Sequence, residues 1–128
     1  MRALLDTNAL LWWLDNSPNL SNPARAAIGD AASEIFVSTA TFWEISIKRS
    51  LGRLDFPIDR TAEILEDSGF TALAINVAHA VAAGALPPIH QDPFDRMLIA
   101  QARCEGLTII TSDRKMQLYD VTVIDAGI

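Results

Sequence analysis

Cysteine is nearly absent from this chain. Cys104 is its only one, which excludes an intrachain disulfide framework and any zinc site built on several thiolates, and suits a reducing compartment. Basic charge is scarce too: ten lysines and arginines face sixteen acids, a formal net charge of −6 at pH 7. No long-range positive field gathers nucleic acid, so any such contact has to be local. Long apolar runs are missing. The opening stretch is interrupted by Asp6, Asn8 and Asp15 and has Arg2 as its single base, which makes a poor signal peptide and no membrane span. The six glycines and six prolines are scattered, no period recurs, and no segment reads as a linker. The expectation is one cytoplasmic domain over residues 1–128, half hydrophobic and of ordinary single-domain size.

What the chain does have is an alternation of hydrophobic periods. Ala3–Leu5, Ile35–Val37, Thr71–Ile75, Leu107–Ile110 and Val121–Ile124 are short apolar or β-branched runs of the kind buried in parallel sheets. Helical spacing predicts helices over Ala9–Leu14, Pro23–Ala32, Thr41–Leu51, Arg60–Asp67, Val77–Ala85 and Phe94–Glu105, with Asn22-Pro23 and Asp92-Pro93 as cap and first turn. A short helix is expected after Asp113. Such alternation predicts an α/β fold, a three-layer α/β/α sandwich around a mostly parallel five-stranded sheet, with ligands beyond the carboxyl ends of the strands.

Four acids fall at those ends. Asp6 follows the first strand, Glu44 lies in the first turns of the helix after the second, Asp95 opens the helix leading into the fourth, and Asp113 follows the fourth. Singly, each has an ordinary explanation. Asp6 and Asp113 stand where an N-cap is wanted, worth about 1 kcal/mol; Glu44 can pair with Lys48 at i,i+4; Asp95 suits the helix dipole. Together they point further. Asp95 shares a helical stripe with Leu98, Ile99 and Ala102, and Glu44 borders the stripe of Trp43, Ile47 and Leu51, so both are expected to lean toward the core. Carboxylates converging in a partly buried pocket repel one another and stay ionised near neutral pH only with a compensating positive charge. An all-carboxylate set points to a hard cation, Mg²⁺ or Mn²⁺, and away from zinc. The usual chemistry of such a site is phosphate-ester displacement.

Lys48, Arg49 and Arg53 follow Glu44, Arg96 follows Asp95, and Arg114 and Lys115 follow Asp113. Charge balance on helix surfaces and a positive rim for a phosphodiester backbone explain these equally well. Ser38, Thr111 and Ser112 are candidates to hydrogen-bond a carboxylate or phosphate. His79, in an Ala- and Val-rich helical run, reads as a surface or half-buried residue. His90, in a Pro-rich loop, has only its neighbour Asp92 to connect it with the acids. Neither histidine sits beside a serine or cysteine in a triad-like pattern.

Leu4-Leu5-Asp6-Thr7-Asn8-Ala9-Leu10-Leu11-Trp12, Phe42-Trp43-Glu44-Ile45-Ser46-Ile47-Lys48 with Leu51-Gly52-Arg53-Leu54, Asp92-Pro93-Phe94-Asp95-Arg96-Met97-Leu98-Ile99-Ala100-Gln101-Ala102, and Thr111-Ser112-Asp113 ahead of Tyr119 occur in that order. Together these segments span nearly the whole chain, and it resembles the PIN-domain ribonucleases, within them the VapC-type toxins of bacterial toxin–antitoxin systems. The resemblance implies a PIN-like fold whose four acidic positions are Asp6, Glu44, Asp95 and Asp113. It implies Mg²⁺- or Mn²⁺-dependent hydrolysis of RNA, with tRNA or ribosomal RNA typical, a homodimer, and a small antitoxin that blocks the site. Asp6 and Asp95 are then expected as principal metal ligands, Glu44 as a ligand directly or through water, and Asp113 as a second-metal or water-orienting ligand. Gln91 and Met116 depart from the family pattern, which often has Arg and an aromatic there; Met fills aromatic-sized space readily.

Two other readings compete. A phosphotransfer receiver domain shares the length and the doubly wound plan, but needs paired acids after the first strand where this chain has Asp6 alone. A noncatalytic binding module would use the acids as caps and dock a partner on apolar residues such as Trp12, Trp13 and Phe56, although tryptophan in a small domain is more often core.

Overall fold

The apolar runs form strands whose side chains alternate between two covered faces. In the computed structural model, which describes residues 1–128, the elements in chain order are β1 (Arg2–Leu5), α1 (Thr7–Leu14), α2 (Asn22–Gly29), β2 (Glu34–Ser38), α3 (Thr39–Ser50), α4 (Thr61–Ser68), β3 (Thr71–Leu73), α5 (Val77–Ala85), α6 (Pro93–Glu105), β4 (Thr108–Thr111) and β5 (Val123–Asp125). Single 3-10 turns lie at Ile58–Arg60 and Met116–Leu118, the latter being the short helix expected after Asp113. The five strands run in the order β3-β2-β1-β4-β5, and every pairing is parallel. Ala3, Leu5, Ile35, Val37 and Ile110 face one core, where α1, α2 and α4 pack, while Leu4, Phe36 and Ile109 face the other, closed by α5 and α6. This is the expected three-layer sandwich. A receiver-type sheet would instead have the order 2-1-3-4-5. No helix is long and apolar enough to cross a membrane.

Element ends are set by caps. Asp6 and Ser38 accept the amides of Ala9 and Ala40, starting α1 at Thr7 and α3 at Thr39, two residues before the expected helices in each case. The cap of α2 is Ser21 rather than Asn22: its hydroxyl accepts from Ala24 N and donates to the Asp125 carbonyl, tying α2 to β5. That helix stops at Gly29 instead of Ala32, because Asp30 turns the chain and accepts the amide of Ala32. β3 ends at Leu73 rather than Ile75, where the backbone leaves the sheet edge for the Asn76 cap of α5.

Two expectations are corrected, and one competing reading loses its surface. The stripe Trp43, Ile47 and Leu51 faces outward, at 62 %, 37 % and 59 % exposure; the inner face of α3 is Ala40, Thr41, Glu44 and Ile45. Glu44 is thus buried, but on a different stripe from the one expected. His79 is fully buried, because its ring Nδ1 accepts the Asn76 amide as the second half of a capping box and the ring faces Glu105 on α6. Phe56 is core, and Trp12 and Trp13 pack against that core, so these three aromatics offer no docking face.

Candidate active site

The strand register delivers the site. Leu5 pairs with Val37 on one side and Ile110 on the other, so the next row along β1, β2 and β4 is Asp6, Ser38 and Thr111. The chain order reverses at β1, which has β2 on one side and β4 on the other. A crevice therefore opens between the carboxyl ends of β1 and β4, the general location of ligand sites in open α/β sheets. The Asp6 amide donates to the Ile110 carbonyl at 3.1 Å, carrying the β1–β4 pairing up to the crevice floor.

Each site side chain is held by a neighbour. Asp6 accepts from the Ala9 amide at 2.8 Å through Oδ1 and from the Thr111 hydroxyl at 2.6 Å through Oδ2. It is both cap and site residue. Thr111 also accepts the Asp113 amide at 3.0 Å, and Met116 is fully buried beneath it, so a methionine fills that position without disturbing the acids. Asp113 accepts the Lys115 and Met116 amides through Oδ1. Glu44 accepts from the Thr7 hydroxyl at 2.6 Å and lies 3.1 Å from Lys48 Nζ. The i,i+4 pair with Lys48 thus exists, at the edge of the crevice. Asp92 caps α6 through the amides of Phe94 and Asp95, which turns Asp95 inward.

His90 joins this group, contrary to the expectation from the sequence. Its Nδ1 accepts the Asp92 amide at 3.1 Å, so the proton sits on Nε2, which is 2.9 Å from Asp113 Oδ2 and 3.1 Å from Asp95 Oδ2. One N–H thus binds two carboxylates. The loop carrying it is fixed by Tyr119, whose hydroxyl accepts the His90 amide and donates to the Pro87 carbonyl.

The resulting cleft, about 170 Å³, is lined by Asp6, Thr7, Asn8, Glu44, Lys48, Asp92, Asp95 and Asp113, with no apolar residue among them. Five carboxylates face one ammonium. The imbalance is felt: burial, followed by the charges of Asp113 and Glu44, raises the Asp6 pKa to about 6 against the hydrogen bonds from Thr111 and Ala9. Burial, then Asp92 and further acids, raises Asp95 to about 7. Burial also opposes ionisation of Asp113, but hydrogen bonds from His90 and the Met116 and Lys115 amides outweigh it and hold that carboxyl below the ordinary range. The His90 ring nitrogen and carboxylate oxygens of Asp95 and Asp113 lie within 4.8 Å of one another. An oxygen-rich donor set short of positive charge fits a hard divalent cation and not a thiolate-seeking one.

The other candidates separate. Arg49 and Arg53 line an open hollow with Gly52, Leu54 and Asp55 at the end of α3, and Arg114 and Lys115 are exposed after β4. Arg96 is not on any rim: its guanidinium donates to the carbonyls of Ala83, Leu86, Pro87 and His90, saturating the end of α5 and the loop behind it. Ser38 is a buried cap, and Ser112 is half-buried beside Gly127. Sequence reasoning missed Thr7 and Asn8, read Asp92 only as a cap, and gave His90 only a link to the acids through Asp92. The adjacency of Thr7 and Asn8 to Asp6, and the His90-Gln91-Asp92 spacing, were the available signals.

The PIN-domain family model matches residues 3–122. Ribonuclease VapC22 of Mycobacterium tuberculosis is 29% identical over 123 residues, which cover 91% of this chain and 90% of that protein. Among solved structures, VapBC2 of Rickettsia felis bound to a promoter DNA fragment is similar with a TM-score of 0.73 at 15% identity, covering 99% of this chain and 100% of that one. VapBC-1 of nontypeable Haemophilus influenzae gives 0.67 at 20% identity, with 98% of each chain covered. At those identities the likeness of the structures is one of fold.

Proposed function

The chain belongs to the PIN-domain family, and from that premise we propose that it is a metal-dependent endoribonuclease acting in the cytoplasm as the toxin of a toxin–antitoxin pair. The observation that carries the reading is the convergence of Asp6, Glu44, Asp92, Asp95 and Asp113 in one polar cleft at the point where the sheet order reverses. Asp6 and Asp95 are assigned as principal holders of Mg²⁺, for which Mn²⁺ substitutes, with Glu44 and Asp113 completing the set. Bound there, such an ion supplies Lewis acidity, bringing water toward a neutral pKa and stabilising charge on phosphate oxygens.

The remaining work belongs to the chain. Thr111 and the Ala9 amide fix Asp6, Thr7 fixes Glu44, and His90 ties Asp95 to Asp113, so no carboxylate has to be reoriented when substrate arrives. Lys48 reduces the negative potential at the mouth, where a phosphodiester has to approach. Arg49, Arg53, Arg114 and Lys115 are assigned to the RNA backbone. Hydrolysis leaves 5′-phosphate and 3′-hydroxyl ends on tRNA or ribosomal RNA.

The assigned partner is a small cognate antitoxin, a basic side chain of which enters the cleft and replaces the cation's charge. The chain acts as one domain and as a homodimer. VapC22 is itself named a ribonuclease, and a toxin–antitoxin complex from Klebsiella pneumoniae is among the solved structures of similar fold. The test is to incubate purified protein with cellular RNA in Mg²⁺, Mn²⁺ or chelator and sequence the new ends. Metal-dependent cuts with 5′-phosphates support the assignment; RNA left intact with both metals, or cut equally in chelator, overturns it.

A further inference from the structure

His90 is held at three points. Its amide donates to the Tyr119 hydroxyl at 2.8 Å, its carbonyl accepts from Arg96 at 3.2 Å, and its ring Nδ1 accepts the Asp92 amide at 3.1 Å. The last contact decides the chemistry of the other nitrogen. A neutral imidazole carries one hydrogen, and an Nδ1 that accepts leaves it on Nε2, which lies 2.9 Å from Asp113 Oδ2 and 3.1 Å from Asp95 Oδ2. To bind a cation through Nε2, the ring would have to carry its hydrogen on Nδ1 instead, facing the hydrogen of the Asp92 amide. Turning the ring over gives no relief, since carbon would then face both the amide and the carboxylates. The ring nitrogen and the two carboxylate oxygens that lie within 4.8 Å of one another thus have the spacing of a metal site, but the nitrogen has no lone pair to give.

The oxygens complete the account. Asp6 engages Oδ1 with the Ala9 amide and Oδ2 with Thr111, and Glu44 engages Oε1 with Thr7 and Oε2 with Lys48. Asp113 engages Oδ1 with the Lys115 and Met116 amides and Oδ2 with His90. Asp95 Oδ2 faces His90, which leaves Asp95 Oδ1 as the one oxygen of these four acids without a hydrogen-bond or ion-pair partner.

We propose that His90 is a specificity-determining residue for the cation: locked as an N–H donor, it withholds imidazole and leaves the ion to carboxylate oxygens, Asp95 Oδ1 first among them. The inference rests on the metal-dependent reading of the cleft and narrows which ions the cleft accepts. Imidazole suits zinc, nickel and copper, whereas carboxylate and water suit magnesium and manganese. A histidine free to turn beside these acids would draw the first group. Asp92 therefore has two tasks, its carboxylate starting α6 and its amide setting the tautomer across from it.

The test uses the whole chain without RNA, so it reads binding and not cleavage. Nitrogen-15 NMR of histidine-labelled protein, at a pH that keeps the ring neutral, should show His90 with hydrogen on Nε2 and none on Nδ1. That pattern should hold in the metal-free protein and after Mg²⁺ or Zn²⁺ is added, the signals being assigned by their loss in His90→Ala. Spin-echo modulation of bound Mn²⁺ should show no direct coupling to a histidine nitrogen. His90→Ala should weaken Mn²⁺ and Zn²⁺ by the same factor, about 10- to 100-fold, as loss of a group that orients ligating carboxylates does.

Hydrogen on Nδ1 in any of these states, a histidine-nitrogen coupling at bound Mn²⁺, or a Zn²⁺ loss about tenfold beyond the Mn²⁺ loss overturns the role of His90 and leaves the metal cleft standing. A wild-type chain that binds no Mn²⁺ overturns the metal-dependent reading and the role of His90 with it, so the two failures are distinguishable.

Discussion

The two histidines of this chain each face a carboxylate far away in sequence, and their surroundings differ in a way that separates structure from chemistry. His79 is buried between α5 and α6: its Nδ1 serves the Asn76 amide, its Nε2 is 3.3 Å from Glu105, and Gln101 packs beside it. There one imidazole meets one carboxylate, and a helix start is completed. His90 lies at the mouth of the crevice with Nε2 shared between Asp95 and Asp113, in a group where five carboxylates face one ammonium. The first cluster holds a single carboxylate and serves packing. The second holds an excess of negative charge that folding alone does not reward, and such an excess is the mark of a group arranged for a ligand.

The sharpest break of this comparison comes from the acids. Asp95→Asn should lower RNA cleavage by roughly 10²–10³-fold, the range of several kcal/mol of transition-state stabilisation, and the metal-free protein should be no less stable than wild type because one repelling charge is gone. Cleavage rates and urea midpoints in chelator read both. If Asp95→Asn cleaves normally, the cleft is a structural cluster like that of His79.

Exchanging the histidines sharpens it next. His90→Ala should cost about 10- to 100-fold in metal affinity or turnover, as loss of a group orienting metal-holding side chains does. Its melting temperature should move little. His79→Ala should do the reverse: about 2 kcal/mol of stability lost with half a capping box and a buried ring, and unchanged turnover per folded molecule. Calorimetry beside single-turnover cleavage checks the crossover.

The pH profile separates the clusters more gently. An acid whose folded pKa lies above its unfolded value binds more protons when folded, so stability falls as pH rises between the two values. Asp6 and Asp95, raised from 3.8 to about 6 and about 7, make the metal-free protein lose stability as pH climbs from about 4 to about 8, by about 1.4 kcal/mol for each unit of elevation. The lowered Asp113 acts in the opposite sense, with a window below the ordinary carboxylate range, outside this interval. Mn²⁺ should lift the neutral-pH arm selectively, since it binds the ionised site. Denaturant midpoints against pH, with and without Mn²⁺, decide; equal metal-induced gains at pH 5 and pH 8 would remove the cleft acids as ligands.

The smallest effect distinguishes the basic residues. Replacing Lys48, Arg49 and Arg53 with Gln should flatten the salt dependence of RNA binding by about 0.7 in log–log slope for each lost phosphate contact. Arg96→Gln should leave the slope unchanged and lower stability by roughly 1–3 kcal/mol, because buried carbonyls lose their donor. Nitrocellulose binding across a salt series, beside thermal melts, measures both.

How far the chain could be read without its structure follows from the range of the forces involved. Strand runs, the span of α5, the Asp92-Pro93 start of α6 and the placement of Asp6, Glu44, Asp95 and Asp113 beyond strand ends were legible, because periodicity, caps and chain connectivity act over a few residues. The motifs around those acids likewise carried the family. Tertiary structure alone decided the rest. Asp6 and Thr111 become hydrogen-bonded neighbours across 105 positions of sequence only through the β1–β4 register. Arg96 turns inward because the end of α5 presents bare carbonyls to it, His90 enters the cleft because Tyr119 pins its loop, and Trp43 faces out because the opposite side of α3 is the one that meets the sheet. A side chain's partner depends on which element is packed across from it, and local sequence holds no record of that.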